Sequence, residues 1–168
     1  HGALPGEKVS VKLYQVKKSY ASGRILKILE ESPQRVKPQC SFYEKCGGCQ
    51  LQHLNYKGQL SVKRQQVKDA IERIGHITGC EVLPVLGMEN PWHYRNKMQF
   101  PAAKTEGKIQ IGCYAALTHN VINIDDCLIQ KQANNKIMQV VRQWMQQFNI
   151  SAYDETTGKG VVRHVMGR

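Results

Sequence analysis

An α+β fold follows from three patterns in the 168-residue chain. Apolar residues near the N-terminus alternate with polar ones, the two-residue period of half-buried strands. Residues 94–124 carry a second strand-like stretch. Residues 56–74 and 129–148 instead repeat their apolar side chains at the 3.6-residue period of a helix. At this length, with 41% hydrophobic residues, the chain can bury a core without cross-links.

The elements are expected in the following order. Val9, Val11 and Leu13 alternate with Lys8, Ser10 and Lys12, and Ile25 to Leu29 supply a returning strand, so residues 8–30 read as a β-hairpin. Its turn falls at Ser22-Gly23 or, equally well, near Lys18-Ser19. Pro33 and Pro38 frame an irregular linker, because proline lacks a ladder donor and restricts its predecessor. Asn55 can cap a helix over residues 56–74, and Gly75 can end it in the left-handed conformation. Leu60, Val67, Ala70, Ile71 and Ile74 share one face of that helix. Lys104-Thr105-Glu106-Gly107 marks a hairpin turn between strands at 97–103 and 108–115. A second helix over 129–148 carries Ala133, Ile137, Val140, Val141, Trp144 and Phe148 at helical spacing, with Trp144 and Met145 read as core. Thr157 to Gly160 is a turn, and residues 161–166 form a last strand.

Three of the six cysteines form one block, Cys40-x5-Cys46-x2-Cys49, with Gly47 and Gly48 between the last two. Glycine lets the backbone wrap closely around an inorganic centre. Three thiolates leave one ligand to come from elsewhere, as happens in zinc and iron–sulfur sites. Cys80, Cys113 and Cys127 are the candidates. Cys127 ranks first because it stands at a corner after Asp125 and Asp126, whereas Cys113 lies in a strand-like stretch where cysteine acts as a small buried hydrophobe. Six cysteines permit three disulfides. The chain shows no signal peptide and no apolar run of membrane length, so a reducing, cytoplasmic setting is expected. Spacing alone does not decide between zinc and iron–sulfur, although a second C-x2-C pair, typical of zinc ribbons, is absent from the sequence.

Lysine and arginine number 24 against 13 acids, a formal charge of +11. Such an excess points to a polyanionic partner, with RNA the expected one and no membrane involved. Lys17 and Lys18 in the first hairpin, and Arg95 and Lys97 ahead of the central strands, are the candidate RNA-binding residues. Trp92 and Tyr94 can stack on an unpaired base, though Trp92 after Pro91 equally fits a packing lid. His53 reads as a packing or supporting residue, and His119 and His164 as structural, since no carboxylate or cysteine partner is visible for them.

Ala3-Leu4-Pro5-Gly6-Glu7, Ser32-Pro33-x-Arg35-Val36-x-Pro38-x-Cys40 and Cys46-Gly47-Gly48-Cys49-Gln50-x-Gln52-His53 resemble the RNA uracil-5-methyltransferases. Tyr94-Arg95-Asn96-Lys97, Ile111-Gly112-x-Tyr114 and Asp125-x-Cys127 continue the resemblance in the family's order. It implies a 4Fe–4S cluster held by Cys40, Cys46, Cys49 and Cys127, as in members acting on 23S ribosomal RNA. Cys113 stands where that family often has an aromatic residue.

The resemblance also implies an organisation. Residues 1–31 would be the C-terminal part of a TRAM-like domain, a partial OB-like β-barrel. Residues 32–160 would be a sheet-and-helix central domain carrying the iron–sulfur cluster. Residues 161–168 would form a strand leading to a methyltransferase domain that this chain does not contain. In the family, a cysteine adds to C6 of uracil, C5 takes a methyl group from S-adenosylmethionine, and a carboxylate removes the C5 proton. No catalytic residue is assigned here, and this portion alone is expected to be inactive while the whole protein methylates RNA. The competing reading is a stand-alone zinc- or cluster-containing RNA-binding module. A radical S-adenosylmethionine enzyme fits poorly, because those enzymes use C-x3-C-x2-C.

Overall fold

The computed structural model describes residues 2–168. The chain forms two compact units with an exchanged segment. The first contains residues 1–38 and 50–87, the second residues 39–49 and 88–168. The cysteine block thus belongs with the distant half of the chain rather than with the residues flanking it.

In the first unit, β1 (Lys8–Val16) and β2 (Ala21–Glu30) pair antiparallel, from Lys8 opposite Glu30 to Val16 opposite Ala21. Lys17 N–H donates to Tyr20 O at 2.8 Å, which puts the turn at Lys18-Ser19, the second of the two expected positions. Three register irregularities interrupt the ladder, and each bulge twists the ribbon and resets which side chains share a face. Val11, Leu13, Tyr14, Val16, Leu26 and Leu29 are consequently all exposed. Among the described residues this sheet has two strands.

The hairpin's base is fixed by an ion pair. The Glu7 carboxylate, whose side chain is 0% exposed, accepts from Arg35 Nε at 2.5 Å and Nη2 at 2.8 Å. It also accepts the backbone N–H groups of Leu4 (2.8 Å) and Ser32 (3.3 Å). Arg35 bridges Leu54, and Val36 N–H donates to His53 O, so the buried His53 and Leu54 lie against this pair.

Helix α1 (Tyr56–Asp69) starts where expected, with Asn55 Oδ1 accepting Gly58 N–H at 2.8 Å. Its end differs from the expectation. A π-helical turn, Ala70–Ile74, widens the last turn, and Gly75 stays right-handed at φ −77°. His76 takes the left-handed position instead (φ 52°), and Ile77 N–H closes back onto Ile71 O at 3.1 Å, one residue wider than the six-to-one bond of a Schellman ending. The expected apolar face is not buried: Val67 is 50% and Ile74 80% exposed, and Gly58 is the helix's one buried residue. The wider turn rotates Ile74 off the stripe that a 3.6-residue period draws.

The second unit is a four-stranded antiparallel sheet in the order β5-β4-β3-β6. Its strands are β3 (Met98–Thr105), β4 (Lys108–Tyr114), β5 (Val121–Asn123) and β6 (His164–Gly167). Glu106 and Gly107 form the two-residue turn between β3 and β4, both with positive φ, the backbone that matches strand twist. Helix α2 (Gln132–Gln147) packs on β4 and β6. Met98, Phe100, Ile109, Ile111, Ile124, Met138, Met145 and Val165 make the core.

The apolar stripe expected to face the core is only partly the inner face of α2: Met145 is buried as expected and Val141 packs against the core, but Val140 and Trp144 do not lie inside. Val140 is 62% and Trp144 44% exposed, while Asn134, Asn135, Met138 and Met145 are buried. The inner face is polar because it holds backbone. Asn134 Nδ2 donates to Asn96 O and Gln130 Oε1, and Arg142 donates to Asp125 Oδ1 and to the carbonyls of Ile111 and Ile124. The helix also begins three residues later than expected, since Arg95 N–H donates to Ile129 O and bridges Gln130 in extended geometry.

Candidate metal centre and basic surface

The 39–49 segment folds over the second unit's sheet in two steps. Between Cys40 and Cys46 the chain makes tight turns, with Tyr43 N–H on Cys40 O and Cys46 N–H on Phe42 O, while Phe42 packs onto the core. It then runs antiparallel to the end of β4. Cys46 bridges Ala115, and Gly47 N–H donates to Tyr114 O at 2.9 Å. A Cβ on Gly47 would stand 3.0 Å from that oxygen and 3.1 Å from the Ala116 backbone, so a larger residue would press the two backbones apart by a few tenths of an ångström. Gly48 N–H points back to Cys46 Sγ at 3.3 Å.

Cys127 enters from the corner before α2. The side chain of Asn135 holds this corner. Its Oδ1 accepts Cys127 N–H at 3.1 Å, and its amide reaches Asp126 and Cys127 O. All six cysteines are thiols. The half-buried Cys127 thiol is pushed up in pKa, first by burial and further by Cys49 and Cys40, against backbone N–H groups of Ile129 and Gln130 that pull it down. Cys40, Cys49 and Cys127 therefore share one electrostatic neighbourhood.

Cys46 is drawn down to about 6, chiefly by a hydrogen bond from the Cys113 thiol and with help from Gly48 N–H, against the effect of burial. Cys113 shifts upward for the matching reason: it donates to Cys46, is half-buried, and feels negative charge at Cys46 and Cys127. Sequence context assigns Cys113 to packing, and the structure adds it to the group. Only the strand register could have revealed this. Cys80 lies in the first unit and is exposed.

Among the described residues, no three His, Cys, Asp or Glu side chains already converge as ligands of a single ion. The donor chemistry is nonetheless selective. A set made of thiols suits soft metals and iron–sulfur centres rather than magnesium or calcium.

Lys17 and Lys18 occupy the exposed β1–β2 turn, with Lys17 Nζ 5.4 Å from the centroid of the Tyr20 ring. Arg95 and Lys97 belong to the other unit and are also exposed, and Arg95 Nε donates to Lys97 O at 3.2 Å. Tyr94 is exposed beside them, whereas Trp92 is half-buried. His119 departs from its reading as a lone structural histidine. It pairs with Glu155 at 2.6 Å and stacks on Tyr114 at 5.0 Å. No helix among the described residues is long and apolar enough to cross a membrane.

No family model matches the chain. It is similar to a Clostridium tetani protein named uncharacterized RNA methyltransferase, 51% identical over 99% of the chain. Proteins of the same description from Bacillus cereus and Halalkalibacterium halodurans are 48% and 45% identical over 98% and 99% of it. The chain spans 36% of the length of each of these relatives. The fold resembles the crystal structure of Pyrococcus abyssi tRNA (uracil-54, C5)-methyltransferase in complex with S-adenosyl-L-homocysteine. The TM-score is 0.67 and the identity 22%, over 98% of this chain and 36% of that one. The chain is thus similar, along its whole length, to about a third of each of these bacterial relatives.

Proposed function

We propose that the chain is the RNA-docking, 4Fe–4S-bearing portion of an S-adenosylmethionine-dependent RNA uracil-5-methyltransferase acting on 23S ribosomal RNA. The observation that carries this reading is the gathering of the cysteine block and Cys127 within one unit of a chain 51% identical to a named RNA methyltransferase. Cys40, Cys46, Cys49 and Cys127 would hold the cluster. When bound, it supplies an inorganic cross-link from the 40–49 segment to the start of α2. Methyl transfer from S-adenosylmethionine is a polar reaction needing no electron from this centre, so its role is structural. The archaeal neighbour's name supports uracil C5 as the target atom. Residues 1–31 would belong to a TRAM-like barrel and 32–160 to the central domain, with 161–168 leading into the methyltransferase domain. The setting is cytoplasmic.

The reaction is tested with the full-length protein, labelled S-adenosylmethionine and unmodified ribosomal or transfer RNA. Label at uracil C5 of ribosomal RNA is expected. Label confined to transfer RNA would overturn the substrate, and label in neither would overturn the enzyme assignment. The 168-residue chain alone is expected to transfer nothing.

RNA docking has its own test. Binding through phosphates releases counterions, so affinity should fall steeply with salt. Changing Lys17 and Lys18 together to Ala is expected to lower the slope of log Kobs against log[salt] by roughly 1.4 to 1.8, at about 0.7–0.9 for each phosphate no longer neutralised. An unchanged slope in the double variant would remove the hairpin turn from the RNA surface.

A further inference from the structure

A fifth thiol lies beside the four proposed ligands. The fifth is Cys113 on β4, and strand register explains its place. Cys46 lies opposite Ala115 and Gly47 bonds to Tyr114, so the next antiparallel step brings Gly48 to Cys113. A Cβ built on Gly48 would lie 3.3 Å from Cys46 Sγ and 3.8 Å from Cys113 Sγ. The two sulfurs therefore flank one glycine, and the space that a side chain would fill is left to them. Cys46, Cys113 and Cys127 all pack against the core cluster of this unit.

We propose that Cys113 is a reserve ligand of the metal centre, held against Cys46 and able to take its place when the Cys46 sulfur is lost. This rests on the iron–sulfur reading above. Substitution requires a second sulfur close to the first, and a backbone able to move by the difference. The Gly48 geometry meets the first requirement. Gly47-Gly48 meets the second, since glycine backbone adjusts at small steric cost. On ligation the Cys113 thiol gives its proton to solvent and binds as thiolate. The bland alternative, that Cys113 is a small hydrophobe filling the sheet, accounts for its burial. It gives no reason for a second sulfur beside Cys46 at the open face of Gly48.

The test uses the full-length protein purified anaerobically, with iron, acid-labile sulfide, visible absorption and the electron paramagnetic resonance of the reduced centre as readouts. Cys113→Ala is expected to retain the wild-type iron and sulfide. Cys46→Ala, with Cys46→Ser beside it in case the first fails to fold, is expected to retain at least half, with an altered resonance signal. Cys46→Ala/Cys113→Ala is expected to lose more than fivefold, as Cys127→Ala does. Equal loss in the Cys46 single and double variants, with a full complement in the wild type, would overturn the proposal and leave the iron–sulfur reading intact. A wild-type protein holding stoichiometric zinc and no sulfide would overturn both.

Discussion

Cys127→Ala is expected to strip iron and acid-labile sulfide from the protein and to lower its stability by up to about 4 kcal/mol. The residue's position explains the size of the effect. The other three proposed ligands lie within ten residues of one another, and a centre held by them alone closes short loops. Cys127 is the ligand that closes the long one, roughly 80 residues from Cys49, and closure entropy grows with the logarithm of that length. The cross-link would also join the 39–49 segment, which reaches the sheet through β4, to the corner that Asn135 fixes ahead of α2. Wild-type protein prepared without oxygen should carry about four iron per chain with broad visible absorption. Cys80→Ala should leave both unchanged, because Cys80 is exposed in the other unit. Iron retained in full by Cys127→Ala would remove this residue from the ligand set, whatever the other cysteines do. Denaturant melts of the same variants check the stability part of the expectation.

Much of the local structure was legible because it depends on neighbours in sequence. The paired positive-φ residues Glu106 and Gly107, the Asn55 cap, and the alternation that defines the hairpin strands are all short-range signals. The helix faces were not legible, for a physical reason. Counting apolar residues at helical spacing finds the core only when the core is what the helix touches. Helix α2 instead presents Asn134, Asn135 and Arg142 to carbonyls and amides of neighbouring loops, with Met138 and Met145 filling between them. Trp144 and Val140 then fall on the outside. Of the proposed ligands, the three clustered cysteines are read from spacing, and Cys127 from its polar corner. Cys113 is a matter of register between segments more than sixty residues apart. One residue of slip would have turned its thiol to the opposite face of β4. The Tyr114–His119–Glu155 cluster escaped notice for the same reason, as Glu155 meets His119 across 36 positions.

Glu7→Gln is expected to destabilise the first unit by roughly 3 kcal/mol, and to flatten its acid unfolding. The native carboxylate is fully covered and receives four N–H donors, two from Arg35 and one each from Leu4 and Ser32. Glutamine has nearly the same shape, but it brings an amide NH2 where an acceptor is needed. That group would face donors, and Arg35, 17% exposed, would lose its compensating charge. Breaking such a pair from one side costs more than the pair contributes, because the remaining ion stays desolvated. The pH dependence separates this residue from its neighbours. The Arg35 hydrogen bond, with smaller help from the Leu4 and Ser32 N–H groups and against burial, lowers the Glu7 pKa from 4.5 to about 2. A depressed carboxyl pKa stabilises fully above the unfolded value. That contribution is lost as pH falls from about 4.5 toward about 2, where the folded carboxylate also takes a proton. His53 adds a second acid-sensitive contribution, since burial and then Arg35 lower its pKa from 6.5. Its effect begins at higher pH, as the unfolded imidazole starts to bind a proton. Urea unfolding of wild type and Glu7→Gln between pH 7 and pH 3 distinguishes the two. The curves should run parallel above pH 5, offset by the lost pair, and converge below pH 4.5 as the wild type loses its advantage. A constant offset down to pH 3 would show that Glu7 does not carry the acid sensitivity, and that its role at the hairpin base is steric.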